Sequence, residues 1–224
     1  MGIWFPVLTN PSIYKVPPRW GFLFYVVIMH RYFIIYKPYL TLSQFSKEGS
    51  KQTLADFFDV PKDVYPVGRL DYDSEGLLIL TNDKQLNHRL LNPMFAHERE
   101  YYVQVDGNIT KEAIDELSNG VVINVDGKNY RTKKIMAKLF DKEPTVPIRN
   151  PPIRFRKEIP APWISLILTE GKNRQVRKMT AKVGFATLRL IRYRIESIVI
   201  GPMQPGEIKE LSKKDIYKML FNEQ

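Results

Sequence analysis

The chain contains no cysteine and only three histidines in 224 residues. The missing thiols exclude disulfide bridges, cysteine-ligated zinc or iron–sulfur centres and a cysteine nucleophile. The scarcity of histidine also argues against a histidine-rich metal site. These absences predict a cofactor-poor protein.

Long apolar runs are also missing. Residues 20–29 (WGFLFYVVIM) form a run of ten, about half of the roughly 20 residues that span a bilayer. The N-terminus has neither the basic start nor the cleavage site of a signal peptide. We predict a cytoplasmic protein that does not bind a membrane. Residues 1–30 are interpreted as an N-terminal extension, and residues 31–224 as one domain. Within the extension, residues 1–28 are either a peripheral segment or sequence that precedes a true start codon at Met29.

Positive charge is plentiful and unevenly placed. Lys and Arg number 34 against 24 Asp and Glu, and residues 131–194 hold 17 of these basic residues with only 4 acidic ones. Such asymmetry is typical of a nucleic-acid-binding face. Aromatic residues such as Trp163 and Tyr193 lie among the arginines, which favours this interpretation over a merely solvated basic surface.

Hydrophobic patterns predict strands and helices in irregular order, and hence an α+β fold with a largely antiparallel sheet. Strands are predicted at residues 32–36, 76–81, 101–106, 121–125, 130–139, 163–169 and 188–200, the last with a bend. Helices are predicted at residues 51–60, at 110–119 between a Thr110 cap and Gly120, at 173–183 after an Asn173 cap, and after Ser212. Residues 82–83 are predicted as a turn, and residues 141–163, with six prolines, as a long surface loop.

The segment VGRLDYDSEGLLILTND (residues 67–83) is the strongest candidate for a functional site. A polar turn leads directly into a fully apolar strand, and such a turn can hold a catalytic group on a rigid element. It carries Arg69 and the carboxylates Asp71, Asp73 and Glu75. Their spacing lacks the other ligands and the glycine of an EF-hand. An ordinary acidic turn is the alternative.

A second candidate is EGKNRQVRKM (residues 170–179), where a strand passes into a basic helix. Val176 and Met179 share one face of that helix. Arg174, Arg177 and Lys178 lie on another face, where we expect them to line a cleft of the sheet. A solvated cationic face is the alternative.

These segments resemble the signatures of the pseudouridine synthases, in the branch that modifies ribosomal RNA and includes RsuA. GRLD, ending at Asp71, and GLLILTND match the signature around the catalytic aspartate, and residues 170–179 match E-G-x-x-x-Q-V-R-x-M. Residues 99–103 (REYYV) match K-x-Y-x-V with Arg99 in place of Lys. Residues 149–160 and 184–193 resemble members that act on large-subunit rRNA. The resemblance covers about residues 31–210.

Two features depart from the family pattern. The motif K-P-x-G stands here as Lys37-Pro38-Tyr39-Leu40, so its glycine turn is expected to be lost. Fewer than 40 residues precede the match, which leaves no room for the RNA-binding S4 domain of many relatives. The basic segment 131–194 is therefore expected to supply more of the RNA affinity.

The resemblance implies the pseudouridine synthase fold, with a mixed, largely antiparallel sheet, flanking helices and a cleft across the sheet. It implies that residues 31–224 form a catalytic domain that isomerises one uridine of large-subunit (23S) rRNA to pseudouridine, without metal or small-molecule cofactor. The expected partner is ribosomal RNA, and the expected state is a monomer.

The resemblance also assigns residues. Asp71 would be the catalytic carboxylate, adding to the sugar or the base or stabilising an eliminated glycal, and these three roles stay open. Arg177 would keep it ionised in a dry pocket, and Tyr101 would lie against the uracil and move the C5 proton. Arg69 would fill the gap left by a flipped base. Asp73 and Glu75 are interpreted as turn formers. Predicted RNA contacts are Arg149, Arg154, Arg156, Lys172, Arg174, Lys178, Arg189 and Arg192.

Other classes of function remain as alternatives. One is a non-catalytic RNA-binding or ribosome-assembly module with the same fold. Another is a carboxylate-dependent hydrolase of nucleosides or glycosides that uses Asp71 with Glu75. A related synthase acting on another uridine, or on small-subunit rRNA, is the third.

Overall fold

The structure, a computed structural model, describes residues 12–15, 25–153 and 158–223. Its strands are β1 (Ser12–Lys15), β2 (Tyr25–Ile28), β3 (Tyr32–Lys37), β4 (Thr41–Leu42), β5 (Gln52–Thr53), β6 (Tyr65–Pro66), β7 (Glu75–Thr81), β8 (Arg99–Val105), β9 (Val122–Val125), β10 (Lys128–Arg131), β11 (Met136–Leu139), β12 (Trp163–Leu168), β13 (Thr187–Ile195), β14 (Ile198–Val199) and β15 (Ile208–Leu211). Its helices are α1 (Lys84–Leu91), α2 (Lys111–Asn119), α3 (Gln175–Lys182) and α4 (Lys213–Phe221). With eight or nine residues each, these helices fall far short of the roughly 20 residues of a membrane span.

Nine of the described strands form one sheet. Its order is β11-β12-β8-β13-β7-β3-β15, with β6 paired to β7 and β14 paired to β13. Strands β7 and β13 run parallel, and the other pairs are antiparallel. The predicted α+β fold with a largely antiparallel sheet is confirmed.

The two faces of the sheet are packed differently. On the back face, alternate residues of the strands, such as Ile34, Leu77 and Ile191, join α1 and α4 in one continuous core. On the front face there are two separate cores. One joins β8 and β12 to α2 and α3, and the other joins β3 and β7 to Leu54 and Phe58. A strip of the central strands lies between these two front cores.

Helix α1 was missed because Asp83 was interpreted as part of a turn. Its Oδ1 accepts hydrogen bonds from the backbone N–H groups of Gln85 and Leu86, at 2.9 and 3.2 Å, so Asp83 is the N-cap of a helix. Its Oδ2 accepts from the hydroxyls of Tyr32 and Tyr217, both at 2.8 Å. The same carboxylate therefore starts α1 and ties it to β3 and α4.

Two other element predictions were wrong. Residues 51–60 contain β5 and a single 3₁₀ turn, Leu54–Asp56, because Thr53 and Asp56 exchange hydrogen bonds that close one turn. Residues 130–139 hold two strands, β10 and β11, rather than one. The break at Thr132 lets its hydroxyl accept from the N–H of Val121, which joins this chain reversal to the end of α2. Strand β15 was not predicted.

Caps explain where the helices begin. Thr110 caps α2 and Ser212 caps α4, as predicted. Helix α3 begins later than predicted, because Arg174 rather than Asn173 occupies its N-cap, in a left-handed conformation with φ +52°. Leu40 is also left-handed, with φ +53°, so the turn of the K-P-x-G motif persists without its glycine.

Candidate active site

A row of cross-strand neighbours crosses the central strip of the front face. Tyr101 of β8 lies opposite Arg192 of β13, which lies opposite Gly76 of β7, which lies opposite Lys37 of β3. Because cross-strand neighbours point to the same face of a sheet, these four positions line the same strip. We call this set the floor row.

Gly76 lets β7 and β13 approach closely within the floor row. A Cβ atom at this position would lie 2.4 Å from the carbonyl oxygen of Arg192 and 2.7 Å from its nitrogen, and φ is +110°. Both the space and the backbone conformation therefore require glycine here.

Asp71 stands on the loop between β6 and β7, and that loop is held at both sides of the aspartate. The Ser43 hydroxyl donates to the carbonyl of Leu70 at 2.8 Å and accepts from its N–H at 3.0 Å. The carbonyl of Asp71 accepts from the N–H of Ser74 at 3.0 Å. The Asp71 side chain remains 34% exposed, so a substrate can reach it.

Asp73, two residues on, binds the arginines of α3. Arg174 donates to both its carboxylate oxygens, at 2.9 and 2.8 Å, in the bidentate geometry that favours arginine. Arg177 donates to the carbonyl of Asp73 at 2.6 Å, and its Nε lies 3.4 Å from Oδ2. Asp73 therefore anchors α3 to the loop, a larger role than the turn former that was predicted.

The salt-bridge partner of Asp71 among the described residues is Arg174, whose Nη1 lies 3.8 Å from Oδ2. Arg177 acts on Asp71 electrostatically from further away. The prediction placed Arg177 beside Asp71. In the structure Arg174 is the nearer arginine, and Arg177 contacts Asp73.

These contacts shift the pKa values of Asp73 and Arg177. Partial burial raises the pKa of Asp73, but the hydrogen bonds from Arg174 and the charge of Arg177 outweigh it and hold that pKa below its usual value. Burial lowers the pKa of Arg177, and the charge of Asp73 opposes this effect. The loop and the start of α3 thus form one network of paired charges.

Residues of the segment 170–179 fix the orientation of α3 toward the loop that carries Asp71. Glu170, which is buried, accepts from the Tyr130 hydroxyl at 2.6 Å, the N–H of Lys133 at 3.0 Å and the Gln175 amide at 2.6 Å. Gln175 in turn accepts from the N–H of Lys172 at 2.9 Å. These bonds shape the turn before α3, so Glu170 and Gln175 support the site without facing it.

Lys37 closes the floor row on the β3 side. Its side chain is fully buried, and its ammonium donates to the carbonyls of Pro38 and Thr41 at 3.0 and 2.6 Å. Burial lowers the pKa of Lys37 to about 7, although Glu75, Asp71 and Asp73 act in the opposite direction. The sequence identified Lys37 as part of the K-P-x-G motif, and no role was predicted for it. Its position after a buried strand was the available signal.

Two predicted RNA contacts are buried and unsuited to binding phosphate. Arg189 is 6% exposed and donates to both oxygens of Glu75, at 2.8 and 2.9 Å, on the back face. Arg192 is 5% exposed in the floor row. Both lie on the part of β13 that is covered by β7 on one side and β8 on the other. Glu75 is likewise the first residue of β7 and not a turn former.

Arg149 is also engaged within the protein. Its guanidinium lies 4.2 Å from the centre of the Tyr39 ring, and it donates to the carbonyls of Pro151 and Leu188 at 2.9 and 3.4 Å. It therefore pins the proline-rich loop beside the Lys37 turn. Arg154 and Arg156 lie outside the described residues.

Other predicted contacts are open to solvent. Arg69, Lys172 and Arg174 are exposed and Lys178 is half-buried. The Lys172 ammonium lies 4.9 Å from the centre of the Tyr130 ring. Arg69 has no hydrogen bond or ion pair within the described part of the chain. In that same part, no group of three His, Asp or Glu side chains could hold a metal ion.

Comparison with known proteins identifies the family of this chain. Residues 31–182 match the family described as RNA pseudouridylate synthase. A ribosomal large subunit pseudouridine synthase E from Vibrio parahaemolyticus is 46% identical over 187 residues, which cover 83% of this chain and 76% of that protein. A protein of the same name from Xanthomonas campestris is 44% identical, over 78% of this chain and 91% of that protein.

Relatives of lower sequence identity are also pseudouridine synthases. Ribosomal large subunit pseudouridine synthase B of Bacillus subtilis is 30% identical over 84% of this chain and 70% of that protein. A solved crystal structure of a pseudouridylate synthase superposes with a TM-score of 0.70 at 24% identity, over 88% of this chain and 77% of that one, which shows the shared fold. The chain therefore belongs to the RNA pseudouridylate synthase family, in its rRNA-modifying branch, and has that family's fold.

Proposed function

We propose that this chain isomerises a uridine of large-subunit (23S) rRNA to pseudouridine in the cytoplasm, with residues 31–224 as the catalytic domain. The relatives named large-subunit synthases, at 44–46% identity, support the choice of substrate. The observation that carries the proposal is the position of Asp71, which is accessible, braced by Ser43 and placed beside Arg174.

The reaction breaks the N1–C1′ bond of the uridine and forms a C5–C1′ bond, and the hydrogen on C5 leaves to solvent. Asp71 acts as the carboxylate that captures or stabilises the electron-poor centre made when the first bond breaks. Arg174 places a positive charge 3.8 Å from its Oδ2. Tyr101, on the floor row, lies against the base and relays the proton from C5: its oxygen receives that proton while its own hydroxyl proton leaves to solvent.

Arg69 serves the entry of the base. A base in folded RNA must leave the stack to reach Asp71, and a planar guanidinium can stack in the gap and bind phosphate. Arg69 is exposed and two residues from Asp71. Arg69→Ala is expected to impair reaction with structured RNA more than with a flexible uridine oligomer, and equal losses on both would contradict this role.

The hydrolase alternative needs Glu75 as the second carboxylate. Glu75 is 1% exposed and is held by Arg189 on the back face, so it does not share a substrate with Asp71.

Tritium release tests the proposal. Transcripts of large- and small-subunit rRNA carry tritium at uridine C5, and a matched set carries it at C6, where isomerisation removes nothing. We expect release from C5-labelled large-subunit RNA and pseudouridine as the product. Release from small-subunit RNA alone would overturn the substrate, and free uracil would overturn the reaction.

A further inference from the structure

Arg192 is an unusual group to find in the floor row. It lies on a central strand with 5% of its surface exposed. Its Nε donates to the carbonyl of Leu77 at 2.8 Å. Its Nη2 is buried and has no hydrogen-bond partner within the described residues. A buried donor without a partner is costly, and each such group in a native structure calls for an explanation, of which a role in catalysis is one.

Its immediate surroundings are specific. Tyr101 is the cross-strand neighbour of Arg192 on β8, and Gly76 is its neighbour on β7. Gly76 has no side chain that could accept a hydrogen bond. Of these two neighbours, only Tyr101 therefore offers a polar side chain to the guanidinium. The phenol of Tyr101 interacts with the guanidinium.

Burial lowers the pKa of Arg192, and Tyr101 acts in the opposite direction. An arginine keeps its charge even when buried. The guanidinium is also held in place through Leu77, so it offers a rigid, charged donor next to Tyr101.

We infer that Arg192 is a positioning residue that holds the Tyr101 hydroxyl toward the reacting base through its free Nη2 donor. This inference rests on the proposed function, in which Tyr101 accepts the C5 proton. Hydrogen bonds of this kind are often loose before substrate binds and tighten in the complex. Arg192 then steadies the oxygen of Tyr101 as it receives the proton and does not touch RNA itself.

A double-mutant cycle separates this role from a merely structural one. The variants are Tyr101→Phe, Arg192→Met and their combination, with single-turnover and steady-state tritium release from C5-labelled large-subunit RNA. Tyr101→Phe should lower kcat by about 10²- to 10⁴-fold, and Arg192→Met by about 10- to 100-fold with KM little changed. Once Tyr101 lacks its hydroxyl, Arg192→Met should have almost no further effect on kcat.

Arg194→Met is the matched control on the same strand, because Arg194 pairs with Glu98 and Glu100 away from the floor row. Any loss it causes should be the same in both backgrounds. Arg192→Lys, which keeps the charge, should recover part of kcat and replaces Arg192→Met in the cycle if the methionine variant does not fold.

Independent, multiplying effects of Arg192 and Tyr101 would overturn the inference, as would an effect of Arg192→Met on KM alone. A fully active Tyr101→Phe would overturn it while leaving the proposed reaction intact. An inactive wild type would overturn the proposed function, and this inference with it.

Discussion

Two pairs of arginines that look alike in the sequence occupy opposite environments. Arg174 and Arg177, at the start of α3, reach across to the Asp71 loop, and Arg174 is exposed. Arg189 and Arg192, on β13, are buried in the centre of the sheet. The first pair can meet a substrate, whereas the second pair must be satisfied inside the protein. The position of an arginine in the fold therefore decides whether its charge is available to a substrate.

The largest expected effect concerns the contact that packs β13 against β7. Gly76→Ala places a Cβ atom 2.4 Å from the carbonyl of Arg192, so the parallel pair must separate. We expect a loss of more than about 4 kcal/mol in the free energy of unfolding, measured in urea. Gly127→Ala is the control, since Gly127 also has a positive φ but nothing within 4 Å, and about 1–2 kcal/mol is expected. Equal losses would contradict the account.

The next effect compares the two pairs directly. Arg189→Met leaves the carboxylate of Glu75 buried without its partner, which should cost about 3–5 kcal/mol of stability. Arg174→Met removes an exposed ion pair and should cost no more than about 1 kcal/mol. Urea unfolding of both variants measures the difference. The comparison fails if Arg174→Met is the more destabilising change.

A pH-dependent effect is expected at Lys37. Its pKa is about 7 in the folded protein and 10.5 in its usual state, so between these values the unfolded chain binds more protons. The contribution of Lys37 to stability therefore rises with pH through this window and is lowest below pH 7. Lys37→Met lacks this titration, so its deficit in unfolding free energy relative to wild type should be larger at pH 9 than at pH 6.5.

A deficit that stays the same at both pH values would show that Lys37 is not titrating in this range. Following wild type and Lys37→Met in the same buffers cancels the contributions of all other groups.

The smallest expected effect concerns the basic surface near α3. Lys172 is exposed, and removing one phosphate contact lowers the slope of log affinity against log salt by about one. Lys172→Ala should show this with a large-subunit rRNA fragment in filter binding. Arg31→Ala, which removes an exposed cation paired with Glu210, should leave the slope unchanged. An unchanged slope in Lys172→Ala would remove it from the RNA interface.

Much of the fold could be predicted from the sequence, because the apolar strands and the caps at Thr110 and Ser212 carry local signals. The class of sheet and the loop with Asp71 followed from the same signals. Helix α1 was missed because its cap, Asp83, also fits a turn. Residue contacts between distant segments have no local signal at all, which is why the pairing of Arg174 with Asp73 and of Arg189 with Glu75 emerged only from the structure.

The floor row illustrates this limit most clearly. Lys37, Gly76, Tyr101 and Arg192 come from four segments of the chain and meet only through strand register. All four of these segments were singled out from the sequence, each on its own. The parallel pairing of β7 with β13, which brings them together, has no counterpart in the linear sequence.

We propose that Asp71 performs the chemistry, while Asp73 holds the arginines. Asp71→Asn and Asp73→Asn change the same atoms two residues apart, and both can be compared in single-turnover tritium release from C5-labelled large-subunit RNA. The account predicts that Asp71→Asn folds, binds RNA and loses activity by at least about a thousandfold, whereas Asp73→Asn keeps measurable turnover. An active Asp71→Asn beside an inactive, folded Asp73→Asn would contradict it.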